Sequence, residues 1–154
     1  VPPTGFLWLF GPAMAGLVVG AWISGRLAGK ISARRTIYYG YLVMGAAALI
    51  NLVLSAWVPP GLPWSVLPIP LYTLGLSLTS PNLTLQALDP FPAQRGLAAS
   101  CQMALQSAFN ALVAGLLAPA LWASTLTLAL GMATLLALGA ATSWAHHRIT
   151  RRPA

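Results

Sequence analysis

Read from its first residue, the chain alternates long apolar runs with short polar or proline-rich breaks. A helix needs roughly 20 apolar residues, at about 1.5 Å each, to cross about 30 Å of hydrocarbon. Five runs reach that length, covering about 4–27, 36–58, 64–88, 97–121 and 125–144. The breaks read GKISARR, VPPGLP, DPFPAQRG and LWAST, and each carries charges, prolines or a tight polar turn that ends a helix. The pattern predicts an all-α chain: a polytopic membrane helix bundle of five transmembrane helices, forming one domain over residues 1–154. Pro12, Pro68, Pro70, Pro81 and Pro119 fall within the runs. In a soluble helix each would cost about 3 kcal/mol. In membrane helices neighbouring groups re-satisfy the freed carbonyls, so these prolines predict kinks.

Polar positions inside the runs are unevenly shared. On the fourth, Gln102, Gln106 and Asn110 recur at i, i+4 and i+8, which lines them up on one helical face. The third carries Thr73, Ser77, Ser80 and Thr84 at similar spacing, with Asn82 and Gln86 nearer its end. The second and fifth hold few strongly polar groups beyond Asn51 and read as lipid-facing. A polar stripe in lipid turns toward other helices or toward a wet cavity. Amides and hydroxyls that merely join helices contribute about 0.6 kcal/mol each on average. Packing and cavity lining therefore both stay open, with Gln106 and Asn110 the leading cavity candidates and Gln102, Asn82, Thr73 and Ser77 behind them. On the first run Gly16, Gly20 and Ser24 repeat the small-xxx-small spacing that lets helices approach closely.

Composition strengthens the membrane reading. The chain is 58% hydrophobic and 6% charged with mean hydropathy +0.77, against roughly 45–50% and 25% for soluble domains. Eight basic residues and one acid cannot clothe a soluble surface. A net charge of +7 and a pI near 10.9 raise nucleic acid as a partner, but the positions of the charges argue otherwise. Arg26, Lys30, Arg34 and Arg35 lie in the first break, Arg95 in the third, and Arg148, Arg151 and Arg152 after the last run. With five spans these are alternate breaks and hence one side. The positive-inside rule assigns that side, with the C-terminus, to the cytoplasm and leaves the N-terminal edge outside. The expected partner is the lipid bilayer, with basic loops beside anionic headgroups and no nucleic acid.

Candidate chemistry is sparse. A lone Cys101 supports neither an internal disulfide nor a multi-cysteine metal site. His146 and His147 follow the last run beside Arg148 and read as interfacial. No Ser/His/Asp set, glycine-rich phosphate loop or paired carboxylate is present. The expectation is a protein that is not an enzyme, with no cofactor and no metal. Intramembrane ionisable groups are the usual functional candidates, yet the single acid, Asp89, is not one. Helix from Trp64 to Leu88 spans about 37 Å at 1.5 Å per residue, which puts Asp89 at the hydrocarbon edge. The chain opens at Val1 without a basic region and cleavage site, and reads as a fragment.

Two segments resemble the major facilitator superfamily. GRLAGKISARR is similar to its glycine-and-basic loop motif through Gly25, Lys30, Arg34 and Arg35, and departs at Gly29, where the best copies have an acid, and at Ser32, where they have glycine. SPNLTLQALDPFPAQRGLAASCQ resembles the end of the tenth and start of the eleventh helix of Bcr/CflA-type drug:proton antiporters, through Pro81, Asn82, Asp89, Phe91, Pro92, Gly96, Ala98, Ala99 and Ser100. The resemblance implies helices eight to twelve of a twelve-helix carrier, part of the C-terminal half of the fold. Helices nine and twelve are peripheral there, and eight, ten and eleven approach the central cavity. It further implies export of drugs or other small hydrophobic or amphipathic compounds by proton antiport across a bacterial inner membrane. The partners would be the small-molecule substrate, protons and a missing N-terminal half that holds the proton-coupling group. Asp89 would pair with the loop of Gly25, Arg26, Lys30, Arg34 and Arg35 as a conformational latch. Alternatives are another facilitator carrying sugars or metabolites, or a small membrane assembly or scaffold subunit. A membrane-embedded enzyme would need catalytic polar groups clustered at one depth, which the chain lacks.

Overall fold

The computed structural model describes residues 3–57, 66–121 and 124–149. Among them the chain is helical between short turns and contains no strand. Helix α1 is Pro3–Leu27, α2 is Ala33–Trp57 and α3 is Pro68–Leu88. A 3₁₀ turn, Pro92–Gln94, leads into α4, Arg95–Leu112, which runs through a π-helical turn at Val113–Leu117 into α5, Ala118–Leu121. The last helix, α6, is Thr125–Ile149. The all-α expectation holds. Among the described residues, α2 and the Leu126–Ala145 part of α6 have the length and apolarity to cross a membrane.

Local chemistry explains the helix ends. After α1 the backbone turns at Gly29, whose φ of 80° lies in the left-handed region that only glycine enters without strain. Lys30 and Ile31 then donate their N–H groups to the Leu27 carbonyl at 3.0 and 3.2 Å. An acid at this position, as in the best copies of the loop motif, would be strained. Pro68 and Pro70 do not kink a span as expected. They stand in the first turn of α3, where the missing N–H has no carbonyl to serve and the fixed φ favours helix. Pro12 and Pro81 do lie inside α1 and α3. Pro119 stands two residues after the end of the π turn. Its ring would collide with the Gly115 carbonyl in a regular α-helix, and the wider π turn makes room for it.

Helix α3 is the centre of the bundle, packed between α1 and α2, and α2 in turn carries α6. Glycines permit both main seams. A methyl group on Gly16 would meet the Pro70 carbonyl and Thr73 Oγ1, and one on Gly20 would meet Ser77 Oγ, so α1 and α3 run parallel with backbones close together. On the other side Gly40 faces Thr79 and Gly75 faces Met44, and α2 runs antiparallel to α3. Tyr41 on α2 donates its hydroxyl to the Gly139 carbonyl on α6 at 3.3 Å.

The second run was expected to face lipid, and the structure buries one of its faces while leaving Leu42, Leu49 and Val53 exposed on another. Thr36, Ile37, Gly40, Met44, Ala47 and Ala48 of α2 are buried against α3 and α6. Small residues make this possible: apolar composition without bulk suits a helix–helix seam as well as a lipid surface. Many bulky apolar groups lie outside. Val18 is 67% exposed, Leu49 65%, Trp22 58% and Leu105 73%. A water-soluble bundle would bury most side chains of this kind.

Parallel and antiparallel packing gathers one end of α1, α2 and α3 around the 28–32 turn and the turn after Leu88. Arg26, Lys30, Arg34, Arg35 and Arg95 all stand at that end. Because Tyr41 meets Gly139 while Arg34 lies near Trp144, α6 also finishes there. Five of the eight basic residues read as one-sided along the sequence thus share one end of the fold, while the Arg148 side chain, Arg151 and Arg152 lie outside the described residues.

Candidate functional site

Where α4 leaves the bundle, a cleft of about 580 Å³ opens between α2, α3, α4 and α6. Its lining is largely aromatic and apolar, with Tyr41 and Met44 from α2, Tyr72 and Leu76 from α3, Leu105 and Phe109 from α4 and Leu136 from α6. Among these stand the polar Thr79, Ser80 and Thr84 from α3 and Gln102 and Gln106 from α4. Their four-residue spacing sets the two glutamines one above the other.

Inside the cleft Gln102 Nε2 donates to Thr84 Oγ1 at 3.3 Å, bridging α4 to α3. Gln102 Oε1 is buried with no hydrogen-bond partner. Thr79, itself 2% exposed, returns its hydroxyl hydrogen to the Gly75 carbonyl at 2.9 Å. Gln106 is exposed. The cleft therefore offers one free, exposed amide, Gln106, beside aromatic faces, while the Gln102 carbonyl is buried and unsatisfied. No carboxylate or basic side chain lines it. Such a surface binds molecules by stacking and a few hydrogen bonds.

The structure divides the candidate cavity residues. Gln102 and Gln106 come together in the cleft, and Asn110, one turn further along α4, is exposed outside it. Thr73 and Ser77 sit in the seam with α1: Thr73 Oγ1 contacts the Ala13 carbonyl at 3.0 Å, and Ser77 Oγ donates to the Leu74 carbonyl at 3.0 Å beside Gly20. Asn82 donates Nδ2 to the Leu78 carbonyl at 2.8 Å within its own helix. Spacing gave these residues one face of α3, but helix crossing decides what covers it. Gly16 and Gly20 of α1 cover Thr73 and Ser77, while Tyr72, Leu76, Thr79, Ser80 and Thr84 border the cleft. Tyr41, Tyr72 and Phe109 were not anticipated. The signal available was a polar-tipped or planar ring within an apolar run.

At the basic end the latch candidates share one end of the bundle, and no ion pair joins them among the described residues. Arg26 lies over the Trp22 ring, 4.1 Å from its centroid, a cation–π contact. Arg34 lines a separate groove with Trp144, Lys30 and Arg35 are exposed, and Gly25 has open space around it. Asp89 is exposed and forms no ion pair among the described residues. No cluster of metal-ligating side chains occurs among the described residues. The side chains of His146 and His147 lie outside the described residues.

Comparison of the chain with known protein families, with curated proteins and with solved structures finds no match.

Proposed function

We propose that the chain is a transmembrane part of a carrier that exports small hydrophobic or amphipathic compounds by proton antiport, built as a bundle of five membrane-spanning helices. The observation that carries the reading is the meeting of Gln102, Gln106 and Thr84 with Tyr41, Tyr72 and Phe109 in one cleft, inside a bundle whose exterior is apolar. Polar groups are costly at membrane depth and persist where they face a cavity or a partner helix. The absence of charge from the cleft walls favours neutral or weakly cationic cargo held against aromatic rings.

The loop and turn motifs that resemble the major facilitator superfamily and its Bcr/CflA-type branch support the same reading. So does the exposed face of α4, which has room for further helices. In that fold the cargo site lies near the bilayer midplane between two helical halves, and transport proceeds by rocking one half against the other. These spans hold no buried titratable acid, so proton coupling belongs to the second half. In a bacterial inner membrane the basic end would lie in the cytoplasm, and Asp89 would latch to the α1–α2 loop in one state of the cycle.

Efflux of a fluorescent amphipathic cation from cells that express the full-length protein tests the proposal. A proton-gradient-dependent fall in dye content supports it. Dye content equal to that of cells without the protein, for a panel of neutral and cationic dyes, overturns it.

A further inference from the structure

A second cavity lies at the basic end, on the outer side of the bundle. It is a groove of about 390 Å³ between α2 and α6. Arg34 and Ser143 stand at its end, Tyr38 and Trp144 flank it, and Leu42 and Ala140 line its deeper part. From Arg34 to Leu42 it follows α2 for about 12 Å, at 1.5 Å per residue. Tyr41 lines both this groove and the central cleft, and its hydroxyl, bonded to the Gly139 carbonyl, lies between them.

The groove grades from charge to hydrocarbon along its length. Arg34 forms no ion pair among the described residues, no acid lines the groove, and the chain's one acid is Asp89. Tyr38 and Trp144 are 62% and 58% exposed, as amphipathic rings at a membrane surface are. An unpaired guanidinium at the mouth of an apolar slot calls for an occupant with an anionic head and an apolar tail.

We propose that this groove binds an anionic phospholipid. The headgroup phosphate lies against the Arg34 guanidinium, within reach of Ser143, and one acyl chain runs inward past Ile37, Leu42 and Ala140. Arginine suits phosphate because its planar fork can donate two hydrogen bonds at once. Charge complementarity selects an anionic lipid over a zwitterionic one. A bound lipid would hold α6 to α2 at the end where Tyr41 is their described hydrogen bond. The inference rests on the membrane reading above and is independent of what the carrier transports.

Native mass spectrometry of the full-length protein, with dioleoyl phosphatidylglycerol or dioleoyl phosphatidylcholine added to the micelles, tests it. Phosphatidylglycerol adducts are expected to form at concentrations about tenfold lower than phosphatidylcholine adducts, the usual scale of one charge-assisted contact. Arg34→Ala is expected to remove that preference, and Ala140→Trp to lower adducts of both lipids by filling the slot with charge unchanged. Arg95→Ala, at the same end but away from the groove, is expected to keep the wild-type pattern. Equal binding of the two lipids, equal loss in Arg34→Ala and Arg95→Ala, or displacement of the lipid by millimolar inorganic phosphate would overturn the proposal. Release of the wild-type protein from membranes by alkaline carbonate would instead overturn the membrane reading beneath it.

Discussion

Gln102 on α4 donates to Thr84 on α3 at 3.3 Å, while the other end of the same amide, Oε1, is buried with no partner. One side chain thus both ties two helices together and carries a buried acceptor that no donor satisfies.

The two halves of that amide have opposite effects on stability. An interhelical hydrogen bond in a membrane protein contributes about 0.6 kcal/mol, whereas a buried polar group without a partner costs about 1–3 kcal/mol. Gln102→Leu removes both and is expected to leave thermal stability of the purified full-length protein unchanged or slightly raised. Thr84→Val strands the whole amide and is expected to lower it by about 1–2 kcal/mol. Thermal unfolding in detergent measures both, and the reverse order would show that the cleft is held together differently.

Glycines in the helix seams are predicted to differ sharply from glycines outside them. A methyl group at Gly20 would strike Ser77 Oγ and the Leu74 carbonyl, while one at Gly45 has nothing within 4 Å. Gly20→Ala is expected to destabilise by about 1–3 kcal/mol through overpacking. Gly45→Ala should be neutral or stabilising by about 0.5–1 kcal/mol, because alanine is the better helix former. The yield of folded protein after detergent extraction and its melting temperature report the contrast.

What the sequence made legible follows from which physics is local. Helix ends at Leu27 and Leu88 coincide with the expected run limits because charges, prolines and the Gly29 turn act on neighbouring residues alone. The grouping of Arg26, Lys30, Arg34, Arg35 and Arg95 at one end needed only the order of the spans. Lateral neighbours are not local. Nothing in the apolar run of α2 separated a lipid surface from the seam formed by Gly40, Ala47 and Ala48. Likewise Thr73 and Thr84 share a face by spacing, and only the crossing of α1 over α3 assigns one to a seam and the other to the cleft. Gln102, Gln106 and Asn110 share one face of α4 by spacing, and only the point at which α4 leaves the bundle puts the first two in the cleft and the third beyond it.

Asp89 is predicted to matter for the transport cycle and not for folding. Its carboxylate is exposed and unpaired at the same end as Lys30 and Arg34, so Asp89→Asn should change stability by less than about 0.5 kcal/mol. If the latch forms in another state of the cycle, Asp89→Arg slows efflux, and adding Arg34→Asp or Lys30→Asp restores it. Failure of both double variants to recover efflux would count against the latch.

The most direct measurement is a dose–response for efflux by the full-length protein carrying Gln102→Ala and Gln106→Ala, with membrane content matched to wild type. If the cleft holds the cargo, the half-saturating concentration of at least one amphipathic substrate shifts by about tenfold, the loss expected for one or two hydrogen bonds, while other substrates shift less. An unchanged half-saturation and an unchanged substrate profile would contradict the assignment of the cleft.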